Sequence, residues 1–190
     1  MNKSFGFRGM LMSSVMASLM AACGPEQAPA ADVEASEHRE VTTLAQAITT
    51  GTPVSLINRG GGNCLDIAGR NMKNGGILYS WGCTGNNNQK FALQPDGAGY
   101  YSLVAQHSGL CLDVPGANTQ PGVGLQQYTC TGTDDQKFAL VDLGTGYYNI
   151  RSKLQPSAML VVLHSNWDSG AGIVVGNAPT GPGSEFRLGL

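Results

Sequence analysis

Two carboxylates head two closely similar constellations. Asp66 is followed by Trp81 and Asn88, and Asp113 by Gln126, Tyr128 and Asp135. A carboxylate and an amide can bond neighbouring hydroxyl groups, while an aromatic ring can stack on a patch of C–H bonds. A small polyhydroxylated ligand demands that combination, because it carries hydroxyls around its edge and an apolar face. Gln126 lies two residues before Tyr128, so the two share a strand face. The structural alternatives are that the aspartates cap turns and the rings merely cover a surface. Aspartate is otherwise disfavoured in strand interiors, which weighs toward ligand contact.

The spacing shows where these groups come from. NCLDIAG, LYSWGCTG and NQKFAL return as LCLDVPG, QQYTCTG and DQKFAL, 47 residues later. Cys64 and Cys83 are 19 apart, as are Cys111 and Cys130; Gln89 and Gln136 each follow their aspartate by 23. Such a repeat means one supersecondary unit used several times. A third copy follows after a step of 48: YYNIRSK, MLVVL and EFRL fall where YYSLVAQ, CLDV and KFAL fell. There Val161, Val174 and Gly176 replace the acceptor and the ring positions, Ser184 replaces the glutamine, and Met159 and Ala178 replace the cysteines. The apolar pattern persists while the chemistry is gone, which predicts two sites rather than three.

The elements that must position these residues are short. VSLIN (54–58), CLDI (64–67), ILYSW (77–81) and KFAL (90–93) are apolar or alternating runs separated by Gly, Asn, Pro and Asp. Four such strands, three times over, predict an all-β closed architecture. Phe91, Phe138 and Phe186 then belong to the core. Ser80 and Gln127 fall on the inward face and break its apolar pattern. The run Gly170–Gly176 mimics a nucleotide loop, but its spacing is wrong and no helix follows, so it reads as a strand.

Composition bounds the rest. From Thr52 onward eight basic and eight acidic residues cancel, which excludes the basic stripe of a nucleic-acid binder. Residues 23–52 form an acidic, Ala- and Pro-rich tether, and residues 1–22 read as an export signal: Lys3 and Arg8 precede an uncharged stretch too short to span a bilayer. Leu19-Met20-Ala21-Ala22-Cys23 resembles the lipobox of bacterial lipoproteins, with Met20 where Leu is more usual. The resemblance implies lipidation at Cys23, hence a chain lipid-anchored to a bacterial membrane (outer membrane or cell surface) and touching membrane through the lipid alone. Ordinary secretion after cleavage near Ala21 is the alternative. In an oxidising compartment the other cysteines pair within repeats, Cys64–Cys83 and Cys111–Cys130. Zinc would need C-x-x-C clusters with histidine neighbours, whereas His38, His107 and His164 are scattered. No metal or other cofactor is expected.

The C-L-D, aromatic-x-C and Q-x-aromatic pattern, three times over residues 53–190, resembles the ricin-B-type β-trefoil, a family that includes lectins and the family 13 carbohydrate-binding modules. Its last motif is usually Q-x-W; here it is Gln89-Lys90-Phe91, Gln136-Lys137-Phe138 and Ser184-Glu185-Phe186. The resemblance implies a β-trefoil with repeats 53–99, 100–146 and 147–190. It places sugar contacts on Asp66, Tyr79, Trp81 and Asn88, then on Asp113, Gln126, Tyr128 and Asp135. Tyr79 stands where Gln is common, and Asp135 where Asn is common, putting a second carboxylate beside Asp113. Gln89 and Gln136 are counted with these sites, chiefly as buried framework groups. The implied function is non-catalytic binding of glycans or polysaccharides of galactose or xylose type by a monomer. A protein-binding scaffold or protease inhibitor is the alternative, and a glycoside hydrolase a remoter one.

Overall fold

The computed structural model describes residues 52–163, 168–177 and 181–190. The export signal, Cys23, the tether up to residue 51, His164 and Ala178 lie outside the described residues. Each repeat contributes four strands. The first supplies β1 (Ser55–Asn58), β2 (Cys64–Ile67), β3 (Gly76–Trp81) and β4 (Phe91–Pro95). The second supplies β5 (Tyr101–Ala105), β6 (Cys111–Asp113), β7 (Gln126–Tyr128) and β8 (Phe138–Asp142). The third supplies β9 (Tyr148–Ser152), β10 (Ala158–Val162), β11 (Ala171–Asn177) and β12 (Phe186–Gly189).

The first and fourth strands of the repeats close an antiparallel barrel in the order β1-β12-β9-β8-β5-β4. The bridge Val54↔Phe91 joins β4 back to the start of β1. Closure removes the unpaired edge that an open sheet would expose. The second and third strands form hairpins β2–β3, β6–β7 and β10–β11. These meet one another through Ile77↔Gln126, Gly172↔Tyr79 and Gly124↔Val174, and so cap one end of the barrel. A six-stranded barrel capped by three hairpins is the β-trefoil that the repeats predict.

Equivalent residues of the three repeats fill the core in layers. Leu56, Leu103 and Ile150 form one set, Leu78, Leu125 and Ile173 another, and Phe91, Phe138 and Phe186 a third, none more than 2% exposed. Burying each such side chain contributes roughly 1.5–3 kcal/mol. The third repeat therefore carries as much of the fold as the other two. Phenylalanine fills the place where the family usually has tryptophan.

The inward polar residues also find a reason. Gln127 is wholly buried. Its Nε2 donates to the carbonyls of Asn71 (2.6 Å) and Lys73 (3.0 Å), and its Oε1 accepts from Ser108 Oγ at 2.8 Å. Gln127 thus staples the loop before β3 to the second repeat and satisfies carbonyls that burial would otherwise penalise. Gly76 makes room for it, since a Cβ there would sit 2.8 Å from Gln127 Nε2. Ser80 faces Leu65 and Ala171 in register, where a small side chain fits the junction of two hairpins.

Candidate functional site

Alternation along β3 buries Gly76, Leu78 and Ser80 and turns Ile77, Tyr79 and Trp81 outward. The register sets Asp66 opposite Tyr79 and Cys64 opposite Trp81. The disulfide Cys64–Cys83 then ties the start of β2 to the chain just beyond the ring. Cys111–Cys130 does the same in the second repeat.

Asp66 Oδ2 accepts from Asn88 Nδ2 (2.9 Å) and from Gln89 Nε2 (2.8 Å), both on the 3-10 turn Asn87–Gln89. Gln89 Nε2 also donates to the Gly82 carbonyl, and its Oε1 accepts from the backbone N–H and hydroxyl of Thr84. Gln89 therefore wires the aspartate to the disulfide-bearing segment, and with no exposed surface it holds the site rather than facing a ligand. Asn88 Nδ2 contacts a second acceptor, Ile67 O, at 3.2 Å. Two acceptors on one side fix the amide orientation. They leave Asn88 Oδ1 buried without a hydrogen-bond partner. Asp66 Oδ1 likewise has no protein partner among the described residues. Burial raises the Asp66 carboxyl above its ordinary value; the Gln89 and Asn88 donors and the positive charges of His107 and Arg70 oppose this without cancelling it.

Asp66, Arg70, Tyr79, Trp81, Asn86 and Asn88 line one pocket of about 290 Å³, at the small end of the range for ligand clefts. Trp81 is 47% exposed. The third repeat braces this wall: Ser169 Oγ accepts from Gly82 N–H at 3.0 Å, and a Cβ at Gly170 would lie 3.5 Å from Trp81 Cζ3.

The second repeat builds the same frame differently. Gln136 Nε2 donates to Asp113 Oδ2 (3.0 Å) and to Thr129 O, and Gln136 Oε1 accepts from Thr131. Asp135 occupies the Asn88 position but, as a carboxylate, cannot donate to Asp113; its backbone carbonyl accepts from Val114 N–H instead. The donor comes from the neighbouring strand, Gln126 Nε2 to Asp113 Oδ1 at 2.7 Å. Gln126 thus gives Asp113 the side-chain amide bond that Asn88 gives Asp66. Tyr128 is an exposed ring beside it.

In the third repeat Val161 faces Val174, and Met159 faces Gly176. A Cβ at Gly176 would lie 2.5 Å from Val161 Cγ2, so a ring could stand there only if Val161 moved. The position is filled as well as stripped of acceptors.

Sequence reasoning missed Arg70. It ends the 3-10 turn Ala68–Arg70, four residues after Asp66, and its matching residue in the second repeat is Ala117. That difference was legible in AGR against PGA, but only the folded turn shows that the position borders the pocket. Among the described residues no group of three or more His, Cys, Asp or Glu could hold a metal ion.

A trefoil with an aspartate, an amide and a ring at equivalent places of two repeats defines a lectin-type domain. The chain matches the ricin-type beta-trefoil lectin domain-like family over residues 43–127 and 94–176, and it belongs to that family. Carbohydrate binding is thereby supported at the level of the family. The chain is similar to a designed threefold-symmetric protein, ThreeFoil, at 33% identity and a TM-score of 0.71, covering 73% of this chain and 98% of that one. It is also similar to an exo-beta-1,3-galactanase from Clostridium thermocellum, at 29% identity and a TM-score of 0.70. That match covers 73% of this chain and 30% of the enzyme. The Rhizoctonia solani agglutinin shares the fold at 19% identity and a TM-score of 0.66, over 73% of this chain and 94% of that one. No curated protein matches the sequence.

Proposed function

We propose that this protein is a non-catalytic carbohydrate-binding module, monomeric, exported and held at a bacterial membrane by lipid on Cys23, with two sugar sites and a filled third position. The observation that carries the reading is the first pocket. There Asp66 is buried, oriented by Asn88 and Gln89, and set beside an exposed tryptophan. Asp66 Oδ1 and Asn88 Oδ1 are the acceptors for adjacent sugar hydroxyls, and Trp81 is the stacking face. Asp113, Gln126 and Tyr128 play these parts in the second site, and Gln89 and Gln136 position the two aspartates.

Among the described residues, Asp66 is the only carboxylate lining the first pocket. Glycoside hydrolysis ordinarily requires two carboxyl groups flanking the scissile bond, so this pocket binds without cleaving. A galactose-type sugar is favoured over a xylose-type one by the similarity to a galactanase. Each site is weak, because few contacts must offset ordering and desolvation. The pairing of Ile77 with Gln126 sets the outer faces of β3 and β7 side by side, and two sites on one body gain avidity on a polymer.

The test is a glycan and polysaccharide screen of the oxidised chain lacking residues 1–22 and carrying Cys23→Ala, beside the same chain with Asp66→Ala and Asp113→Ala. Binding by the parent and its loss in the folded double variant are expected. Binding that survives both substitutions, or no binding at all, would point to a protein-binding scaffold. In the producing cell, Cys23→Ala in the full chain is expected to release the protein from membranes; unchanged membrane association would reject the anchor.

A further inference from the structure

Arg70 is a cation lining the first pocket. It is exposed and lines the same pocket as Trp81 and Asn88. It makes no ion pair or hydrogen bond among the described residues. By contrast Arg59 pairs with Glu185 and stacks over Tyr147. The acid that shares the pocket with Arg70 is Asp66, whose bonds come from Asn88 and Gln89.

The turn does not explain the residue either. Gly69 and Arg70 have φ of 60° and 52°, and in the second repeat Gly116 and Ala117 have 60° and 53°. The left-handed bend is therefore a property of the repeat, and Ala117 shows that it needs no long side chain. A left-handed position disfavours any side chain, and glycine would occupy it without strain. An exposed guanidinium that lines the pocket and makes no ion pair or hydrogen bond among the described residues is available to a ligand there.

Resting on the lectin reading above, we propose that the first pocket selects saccharides bearing an anionic substituent, a uronate carboxylate or a sulfate, and that Arg70 is the residue that reads this charge. The guanidinium fork matches a carboxylate or sulfate with two parallel N–H bonds, which a neutral hydroxyl cannot reproduce at equal strength. Asp66 in the same pocket takes hydroxyls, so the site offers both an acceptor and a cation to one ligand. Charges balance from Thr52 onward, so the preference arises from this side chain and not from a long-range field. The second site has Ala117 in place of Arg70 and is indifferent to charge.

Titrating the oxidised, Cys23→Ala chain with galactose, galacturonate, galactose 6-sulfate, xylose and glucuronate tests this. At least one anionic sugar is expected to bind about tenfold more tightly than its neutral counterpart, with an advantage that shrinks as salt rises. Uronate and sulfate arms distinguish the two substituents. Arg70→Gln is expected to abolish the advantage, so that anionic and neutral sugars bind the variant about equally. Ala117→Arg in an Asp66→Ala background is expected to confer a charge preference on the second site. Neutral sugars that bind as well as anionic ones, or an advantage that survives Arg70→Gln, would overturn the inference and leave the lectin reading standing. Failure of all five sugars to bind would remove the lectin reading and the inference with it.

Discussion

Asp66 is both the proposed ligand acceptor and the most constrained ionisable group in the first pocket. Burial pushes its carboxyl above the ordinary aspartate value, and the opposing donors and positive charges do not restore it. The sign of the consequence follows from linkage. A folded state that holds its proton more readily than the unfolded chain is not destabilised as pH falls through the raised value; the penalty on the buried charge is relieved there. Ligand binding moves the other way, because a protonated Asp66 loses acceptor capacity toward sugar hydroxyls. In an Asp113→Ala background, which isolates the first site, sugar affinity is expected to decline on acidification before an ordinary aspartate would protonate, with the fold intact. Titrations from about pH 7 to about pH 4, run beside near-ultraviolet circular dichroism, check this. An affinity that stays flat until the ordinary carboxylate range would show that Asp66 is not the acceptor.

The elements were legible in the sequence to the extent that their determinants are local. Alternation in ILYSW gives β3 and its outward ring, and the shared spacing of CLD and Q-x-F marks Gln89 and Gln136 as framework groups, though not their bonds to the Asp66 and Asp113 carboxylates. Phe186 and Ile150 marked the third copy because apolar periodicity survives changes of polar residue. What was not legible depends on partners far along the chain. Gln127 stood out as an inward amide, yet its acceptors Asn71 and Lys73 lie more than fifty residues earlier. That Gln126 gives Asp113 the bond that Asn88 gives Asp66 was not legible either, because it comes from the adjoining strand. Arg70 was hidden for a third reason. It lies in a turn where Gly69 and Arg70 are both left-handed, and no periodic pattern encodes that bend.

The molecule as a whole is closed by its ends. Leu56 pairs with Leu188 across β1 and β12, Asn58 with Phe186, and Arg59 with Glu185 just beyond. The last repeat, with Val161 and Gly176 where the others have an aspartate and a ring, therefore completes the barrel that holds the other two. Phe186 is as buried as Phe91 and Phe138, its counterparts. Removing a buried phenylalanine ring costs about 3–5 kcal/mol through lost transfer energy and the cavity left behind. Phe186→Ala is accordingly expected to destabilise the domain by about as much as Phe91→Ala, read as a shift in the denaturant midpoint at constant slope. Because Phe186 lies in the core rather than in either pocket, sugar affinity of the folded Phe186→Ala chain should match the parent. A cost well below that of Phe91→Ala would mean that the third repeat is an appendage to a two-repeat core. A comparable cost with intact binding would show that the worn repeat is maintained by packing alone, the condition under which its Asp and Gln positions could be replaced by Val161 and Ser184 without loss of the fold.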